Sequence, residues 1–440
     1  MKTMRQITAF FCLVALGAIL GASLFCPAPA SARVYIDITK PFSRKLPLAL
    51  PEYTPMPGSA PAAVGSDGAR ILATDLSYTG LFDILDRKTY LGGADQVNPR
   101  LWRRIGAELL VTGSYSLQGE VVSLEMRLHD VTDGRLMVGR RYDGTLKDVP
   151  AMMHRFADEI MQAITGERSV FSTAIAFVHA DGGKKEIWMM NFDGTGARQV
   201  THRGDITLYP AWSPDGALLA YTSYVNRRPA AFIQAISGGE GRIIYNRPGV
   251  NLTPVFLPTG GQVAVSLSFS GKTNIYLGDQ TGNLGPNLTD GWGIEVSPTF
   301  SPDGKKMAFV SDRGGSPQIY IRDMISGSIS RLSFGQKYAA APDWSPRGDR
   351  IAYQAMVNGN FQVISIRPDG SDMRVLTSGH GGGEDPSWSP DGRLIAYASR
   401  TTGRYQIYVM TAAGEPVRRI TELSGDNTDP AWSPRGVAGR

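Results

Sequence analysis

A chain of 440 residues, 42% hydrophobic and 19% charged, is long enough for more than one buried core, and its 51 glycines and 28 prolines are dispersed as turn formers instead of gathered into disordered tracts. Its formal charge of +5, without basic runs, excludes nucleic acid as a partner. With only two cysteines, Cys12 and Cys26, it is no disulfide scaffold either.

The first element in chain order is a targeting segment. Lys2 and Arg5 form a basic start, Ile7 to Phe25 is nearly all apolar, and Ala30-Ser31-Ala32 supplies the small-x-small pattern that signal peptidase accepts. Residues 1–32 are therefore expected to be a signal peptide, with export to the periplasm and a mature start at Arg33. An uncleaved anchor is the competing reading, because the apolar run approaches the roughly 18 residues that span a bilayer. The cleavage pattern argues for removal. Phe25 stands where lipidation at Cys26 would need a small residue. Cleavage removes Lys2 and Arg5, the only charges of the leader, and both cysteines, so the mature chain carries a net +3 and no thiol. No later stretch is long and apolar enough to read as a membrane span.

Residues 33–168 read as an α+β domain. RVYIDI alternates apolar and polar residues as a strand does, and a Pro-rich link follows at 41–61. Leu72, Leu76 and Thr79 fall at helical spacing with Gly80 as a stop, and VVSLEMRLHD at 121–130 alternates with Val122, Leu124, Met126 and Leu128 on one face. Asp148 is placed to cap a further helix whose face is Met153, Phe156, Ile160 and Ile164, ending at Gly166. Two helices on one side of a small mixed sheet are expected.

Residues 169–440 are a repeat. PAWSPDG at 210–216 returns every 44 residues as PVFLPTG, PTFSPDG, PDWSPRG, PSWSPDG and PAWSPRG, which places Trp212, Phe256, Phe300, Trp344, Trp388 and Trp432 in register. Ser-Pro-Asp-Gly suits a type I turn, with Pro fixing φ at the second position and Gly closing the fourth. Strand-like runs follow each phrase, four per repeat, and a period of 40 to 45 residues with four strands is the mark of a propeller blade. The first blade lacks the phrase and the last phrase lacks a blade. The expected fold class is mainly β: an α+β N-terminal domain followed by a six-bladed β-propeller closed by the C-terminal strand, which leaves no open edge.

No catalytic constellation accompanies the repeat. G-x-S-x-G is missing from the sequence, and GHGGG at 379–383 departs from G-x-G-x-x-G because Glu384 stands at the third glycine position. The five histidines, His129, His154, His179, His202 and His380, lack ligand spacing and read as packing or surface residues. Glu295, Asp385 and Asp429, near blade junctions, read as solvated loop acids in preference to a Ca²⁺ site. No cofactor or metal is expected.

The stretch MHRFADEIMQAITGERSVFSTAIAFV at 153–178, with GLFDILDR at 80–87 and GAELLVTGSY at 106–115, resembles the TolB family, periplasmic components of the Tol-Pal system of Gram-negative bacteria. The resemblance spans about 33–436. It departs in LPTG of the second blade and in ITKPFSRKLPLALPEY, which is unlike the family's N-terminal segment. The resemblance implies a non-enzymatic, monomeric connector that binds the Pal lipoprotein through the propeller and TolA through the mature N-terminus, supporting outer-membrane integrity and invagination at division. It places TolA capture on Arg33, Val34, Tyr35, Ile36, Asp37, Ile38 and Thr39. It places Pal at the channel mouth, where the loops before each repeated proline vary while the blades agree. The candidates there are Tyr209, Asn251, Thr253, Glu295, Val296, Asp385 and Asp429. The alternative is a periplasmic propeller hydrolase or lyase acting on a sugar or peptide in the channel.

Overall fold

The computed structural model describes residues 44–59, 62–93, 98–415 and 417–437. The leader and the strand expected at 33–39 lie outside the described residues. The first layer is a mixed sheet built from β1 (Leu46–Ala49), β2 (Thr54–Pro55), β3 (Phe82–Ile84), β4 (Leu109–Gln118), β5 (Val121–Asp130) and β6 (Leu136–Thr145), in the order β3-β1-β4-β5-β6 with β2 against β4. β1 runs parallel to β3 and β4, whereas β4, β5 and β6 form an antiparallel meander.

The Pro-rich link expected at 41–61 is corrected here, because it contains β1 and β2. Pro47 is tolerated inside β1 because its carbonyl accepts from Glu108 N, while Leu46 N and Leu48 O supply the bonds to the β3 side. Leu48, with no exposed surface, is what the segment contributes to the core.

Two helices, α1 (Val64–Tyr78) and α3 (Val149–Thr165), cover one face of the sheet. Val122, Leu124, Met126 and Leu128 of β5 are all fully buried beneath them, along with Leu72 and Leu76 of α1 and Met153, Phe156 and Ile160 of α3. Each such side chain stabilises the layer by about 1.5–3 kcal/mol. Gly166, at φ 80, ends α3 in the left-handed conformation that a Cβ disfavours. Asp148 does not cap α3 as expected: its carboxylate accepts from Thr145 N and Oγ1 at 2.8 Å and closes the turn before the helix. A short helix that the hydrophobic spacing does not reveal, α2 (Pro99–Arg104), lies on the other face, where Trp102 packs with Ala49, Leu110 and Val131. Asn98 caps it and Pro99 starts it.

Beyond Thr173 the chain forms six four-stranded antiparallel sheets. Five use consecutive strands. In the sixth, the closing strand Asp426–Trp432 pairs with Ala174–Asp181, so the C-terminus supplies the innermost strand of the sheet that the chain began. Each repeated aromatic packs in one cluster with an alanine 36 residues earlier, on the second strand of the preceding blade: Trp212 with Ala176, Phe256 with Ala220, Phe300 with Ala264, Trp344 with Ala308, Trp388 with Ala352 and Trp432 with Ala396. Large against small at every blade junction is what lets the wedges interdigitate at close-packed density.

The turns behave as their composition dictates. Ser213 Oγ donates to Asp215 Oδ1 at 2.6 Å, Ala217 N donates to the same carboxylate, and Gly216 N closes onto Ser213 O at 2.8 Å. Ser301 with Asp303 and Ser389 with Asp391 repeat the arrangement. In the Ser345 copy Arg347 replaces the acid, and Asp349 two residues on takes over the serine. Arg347 and Arg393, in two such turns, then reach Glu167 just past α3, at 3.7 and 3.0 Å. The amino-terminal layer thus meets the propeller at the end that carries the Ser-Pro turns.

Candidate functional site

In a four-stranded antiparallel blade, the connections between first and second and between third and fourth strands share one end. The connections between second and third strands, and from the fourth to the next blade, share the other. The Ser-Pro turns define the first end, so among the described residues the second is the free mouth of the channel.

The innermost strands carry a device that periodicity alone does not show. Each has a register shift, between Leu208 and Ala211 in one blade and at the same place, 44 residues apart, in the others. The bulged residue is left-handed in every case: Tyr209, Thr253, Ser297, Ala341, Asp385 and Asp429 have φ between 46 and 57°. Non-glycine residues there cost of order 1 kcal/mol or more each and persist only where the surroundings hold them. Proline follows every one. The positions before each repeated proline, expected as loops, are therefore bulges within the inner strands, and the six residues ring a cavity of about 400 Å³ along the channel.

The expected mouth residues divide into three groups. Asn251 and Glu295 have no exposed surface. Asn251 accepts from Arg247 N and donates to the Arg247 and Pro229 carbonyls, which fixes its loop. Glu295 pairs with Arg313 and accepts from Ser311 Oγ at 3.3 Å. Neither can touch a partner in this conformation. Thr253 is also buried; its hydroxyl meets Ser266 Oγ at 3.0 Å and accepts from Ser297 N of the next blade. Val296 is half-buried and Tyr209 39% exposed. Asp385 and Asp429 are brought together on the channel wall with Glu384 close by. Burial, then the charges of Asp429 and Glu384, hold the Asp385 carboxyl well above the usual range, and burial likewise raises Asp429. Burial and these two acids push the Tyr209 phenol up to about 12.

Asp343 stands one strand along. Its Oδ2 accepts from Trp388 N of the next blade at 2.7 Å, as Thr299 Oγ1 accepts from Trp344 N and Ser387 Oγ from Trp432 N. Burial pushes the Asp343 carboxyl up to about 7 against its hydrogen bonds with the Trp388 and Trp344 amides and the Thr299 side chain. A carboxyl with a raised folded pKa retains a proton that the unfolded chain has released, so its contribution to stability falls as pH rises from about 4 to about 7. Asp343→Asn keeps an acceptor for Trp388 N and removes that penalty. It is expected to melt above the unaltered protein at pH 8 and to lose the advantage by pH 4; a variant melting lower at pH 8 would show that the ionised carboxylate stabilises the ring.

The residues that the period hides are the exposed ones. Trp292 is 90% exposed, Phe334 63% and Ile294 56%; Tyr338 shares the connection of Phe334, and Phe269 lies on another connection of the same mouth. Cations lie over several of these rings: Lys272 Nζ is 3.7 Å from the Trp292 centroid, Arg331 4.9 Å from Phe334 and Arg247 5.7 Å from Phe269. Off-register aromatics in GWGIEVS and LSFGQKY are the signal that would have found them. A rim of exposed aromatics with Arg and Lys above an acidic throat has the composition of a protein-binding surface.

The expected TolA segment, Arg33–Thr39, lies outside the described residues. Among the described residues no helix is long and apolar enough to cross a membrane.

Comparison with known proteins agrees with this architecture. The TolB beta propeller domain family matches residues 161–436 and the TolB amino-terminal domain family matches 34–137. The Tol-Pal system protein TolB of Desulfosudis oleivorans is 42% identical over 232 residues, 50% of this chain and 53% of that protein. That of Syntrophotalea carbinolica is 37% identical over 201 residues, 44% and 47%. The aligned region thus spans about half the length of the curated relatives it matches. The crystal structure of TolB from Acinetobacter baumannii superposes with a TM-score of 0.78 at 28% identity, covering 89% of this chain and 97% of that one.

Proposed function

The chain belongs to the TolB family, and from that premise we propose that it is a non-enzymatic periplasmic connector of the Tol-Pal system. It holds the Pal lipoprotein at the free mouth of the propeller and offers its mature N-terminus to TolA. In that role it supports outer-membrane integrity and the inward movement of the outer membrane at division. The observation that carries the reading is the cluster of exposed side chains around Trp292, Ile294 and Phe334 at the end of the channel away from the amino-terminal layer. Tyr209 and Val296 border it as direct contacts. Asn251, Thr253 and Glu295 act by holding the shape of the loops, and Asp385 and Asp429 give the throat its acidity. Pull-down of the mature protein from envelope extract tests the assignment: a peptidoglycan-associated lipoprotein is expected to co-purify, and its consistent absence would count against it.

TolA is the second partner in the proposal. Arg33–Thr39 alternates as an added strand would, and strand addition uses such a segment without a preformed pocket. Deleting residues 33–39 is expected to abolish TolA binding while leaving the melting temperature of the propeller unchanged. Undiminished TolA affinity after that deletion would sink this part of the reading.

A further inference from the structure

Where the amino-terminal layer meets the propeller, three ionisable side chains from three elements converge. Asp75 of α1 and His154 of α3 are buried, at 1 and 2% exposure. Asp193 comes from the turn that follows the propeller strand Lys184–Asn191. His154 Nδ1 lies 2.8 Å from Asp75 Oδ2, and its Nε2 faces Asp193 Oδ2 at 3.7 Å. Asp193 uses its other oxygen on Thr195 N and Oγ1, which leaves Oδ2 for the histidine. Phe192 closes the site edge-on, 5.3 Å from the imidazole and 5.6 Å from Tyr78. His154 Nε2 and Asp75 Oδ1 are buried without a hydrogen-bond partner, and a buried polar atom in that condition calls for an explanation.

A metal ion does not supply one. The two nitrogens of an imidazole point away from each other, so no single ion can take Asp75, His154 and Asp193 together. An ion at Nε2 would have Asp193 alone beside it, where zinc uses three or four protein ligands. A proton fits both sides. We propose that His154 is a doubly protonated imidazolium held between Asp75 and Asp193, and that this charge latches the amino-terminal layer to the propeller.

The surroundings favour the charge. Asp158, on the same helix, lies behind the pair with its carboxylate accepting from Phe171 N and Ser172 N, at 3.1 and 3.0 Å. Tyr78 of α1 and Arg418 of the neighbouring blade, 4.4 Å above the Tyr78 ring, also face the site. Burial opposes protonation of His154, but the Asp75 hydrogen bond and charge, with Asp193 and Asp158, outweigh it and place the histidine above its usual value. Burial raises Asp75 to about 6. Both raised values have the same consequence. The folded form holds more protons than the unfolded one: the His154 contribution is fully present below about 6.5 and is lost as pH rises through its folded value, whereas that of Asp75 is fully present only below about 4 and is lost by about 6, which leaves Asp75 ionised as the partner of the imidazolium at pH 7.

The inference does not depend on which partners the protein binds. Histidine-labelled mature protein, observed by ¹⁵N NMR, tests it directly. His154 is expected to carry protons on both nitrogens at pH 7, and Asp193→Asn to lower its midpoint by at least one unit. Hydrogen exchange in 191–197, corrected for the intrinsic pH effect, is expected to quicken at least tenfold from pH 6 to pH 8.5 in the unaltered protein and to lose that pH dependence in Asp193→Asn. A His154 neutral at pH 7, a midpoint indifferent to Asp193→Asn, exchange independent of pH, or stoichiometric Zn²⁺ binding lost in Asp193→Asn would each overturn the proposal. If Asp193→Asn fails to fold, the protonation state and exchange of the unaltered protein decide it.

Discussion

Removal of residues 429–440 is expected to lower stability by at least about 4 kcal/mol, and so to drop the melting temperature by about 7 °C or more, or prevent folding altogether. The deletion takes away the part of the closing strand that pairs Ala431 with Ala176 and Trp432 with Ile175. Ser433 N donates to Ala174 O at 2.8 Å and its hydroxyl accepts from Ala174 N, so the strand is pinned beyond its last paired residue. Trp432 contributes most. Its indole donates to Thr173 Oγ1 at 2.8 Å, its amide donates to Ser387 Oγ at 3.0 Å, and its ring packs against Ala396 of the preceding blade. Losing one such buried aromatic costs about 3–5 kcal/mol. Val437, also buried, packs in the cluster of the first two blades. Trp432→Ala alone should therefore reproduce most of the loss. A truncated protein that melts within a degree or two of the full chain would mean that the ring does not depend on this strand.

The second large effect is expected at the mouth. Trp292→Asp combined with Phe334→Asp should weaken binding of the soluble domain of Pal by about a hundredfold, or about 2.8 kcal/mol, without moving the melting temperature. Both rings are largely in solvent, so the fold loses little by their replacement. A large aromatic already held by a cation, as Trp292 is by Lys272, gives contact area at low entropic cost, and such residues dominate binding energies when a partner covers them. Ile325→Asp is the control, because Ile325 is equally exposed on a turn at the opposite end of a blade. Retained affinity in the double variant, or loss in Ile325→Asp, would move the Pal site off the mouth.

The 44-residue period carried the blades, their number and the closing strand, because every blade repeats the same physical problem: a turn, an aromatic and a small residue opposite it. The alternation in β5 and the helical spacing of α1 and α3 were legible for the same reason, each being a period matched to one buried face. β1 was not, since two prolines within a short segment conceal a strand whose pairing happens not to need the missing amide. The left-handed bulges were also invisible: tyrosine, threonine, serine, alanine and aspartate share no side-chain property, and their common conformation is imposed by the ring. Binding residues escape for a further reason. Trp292 and Phe334, the proposed contacts, stand at positions that no other blade fills with Phe, Trp or Tyr, whereas the variable positions nearest each repeated proline include Asn251 and Glu295, which are buried. The Asp75, His154 and Asp193 group joins residues 79 and 39 positions apart on separate elements, and no spacing announces it.

Hydrogen–deuterium exchange of the mature protein with and without the soluble domain of Pal tests the proposed connector role most directly. Binding is expected to protect the mouth connections 268–273, 288–294 and 332–338 and to leave the opposite turns 280–283 and 324–328 unchanged. Protection confined to those opposite turns, or no protection anywhere at saturating Pal, would contradict it.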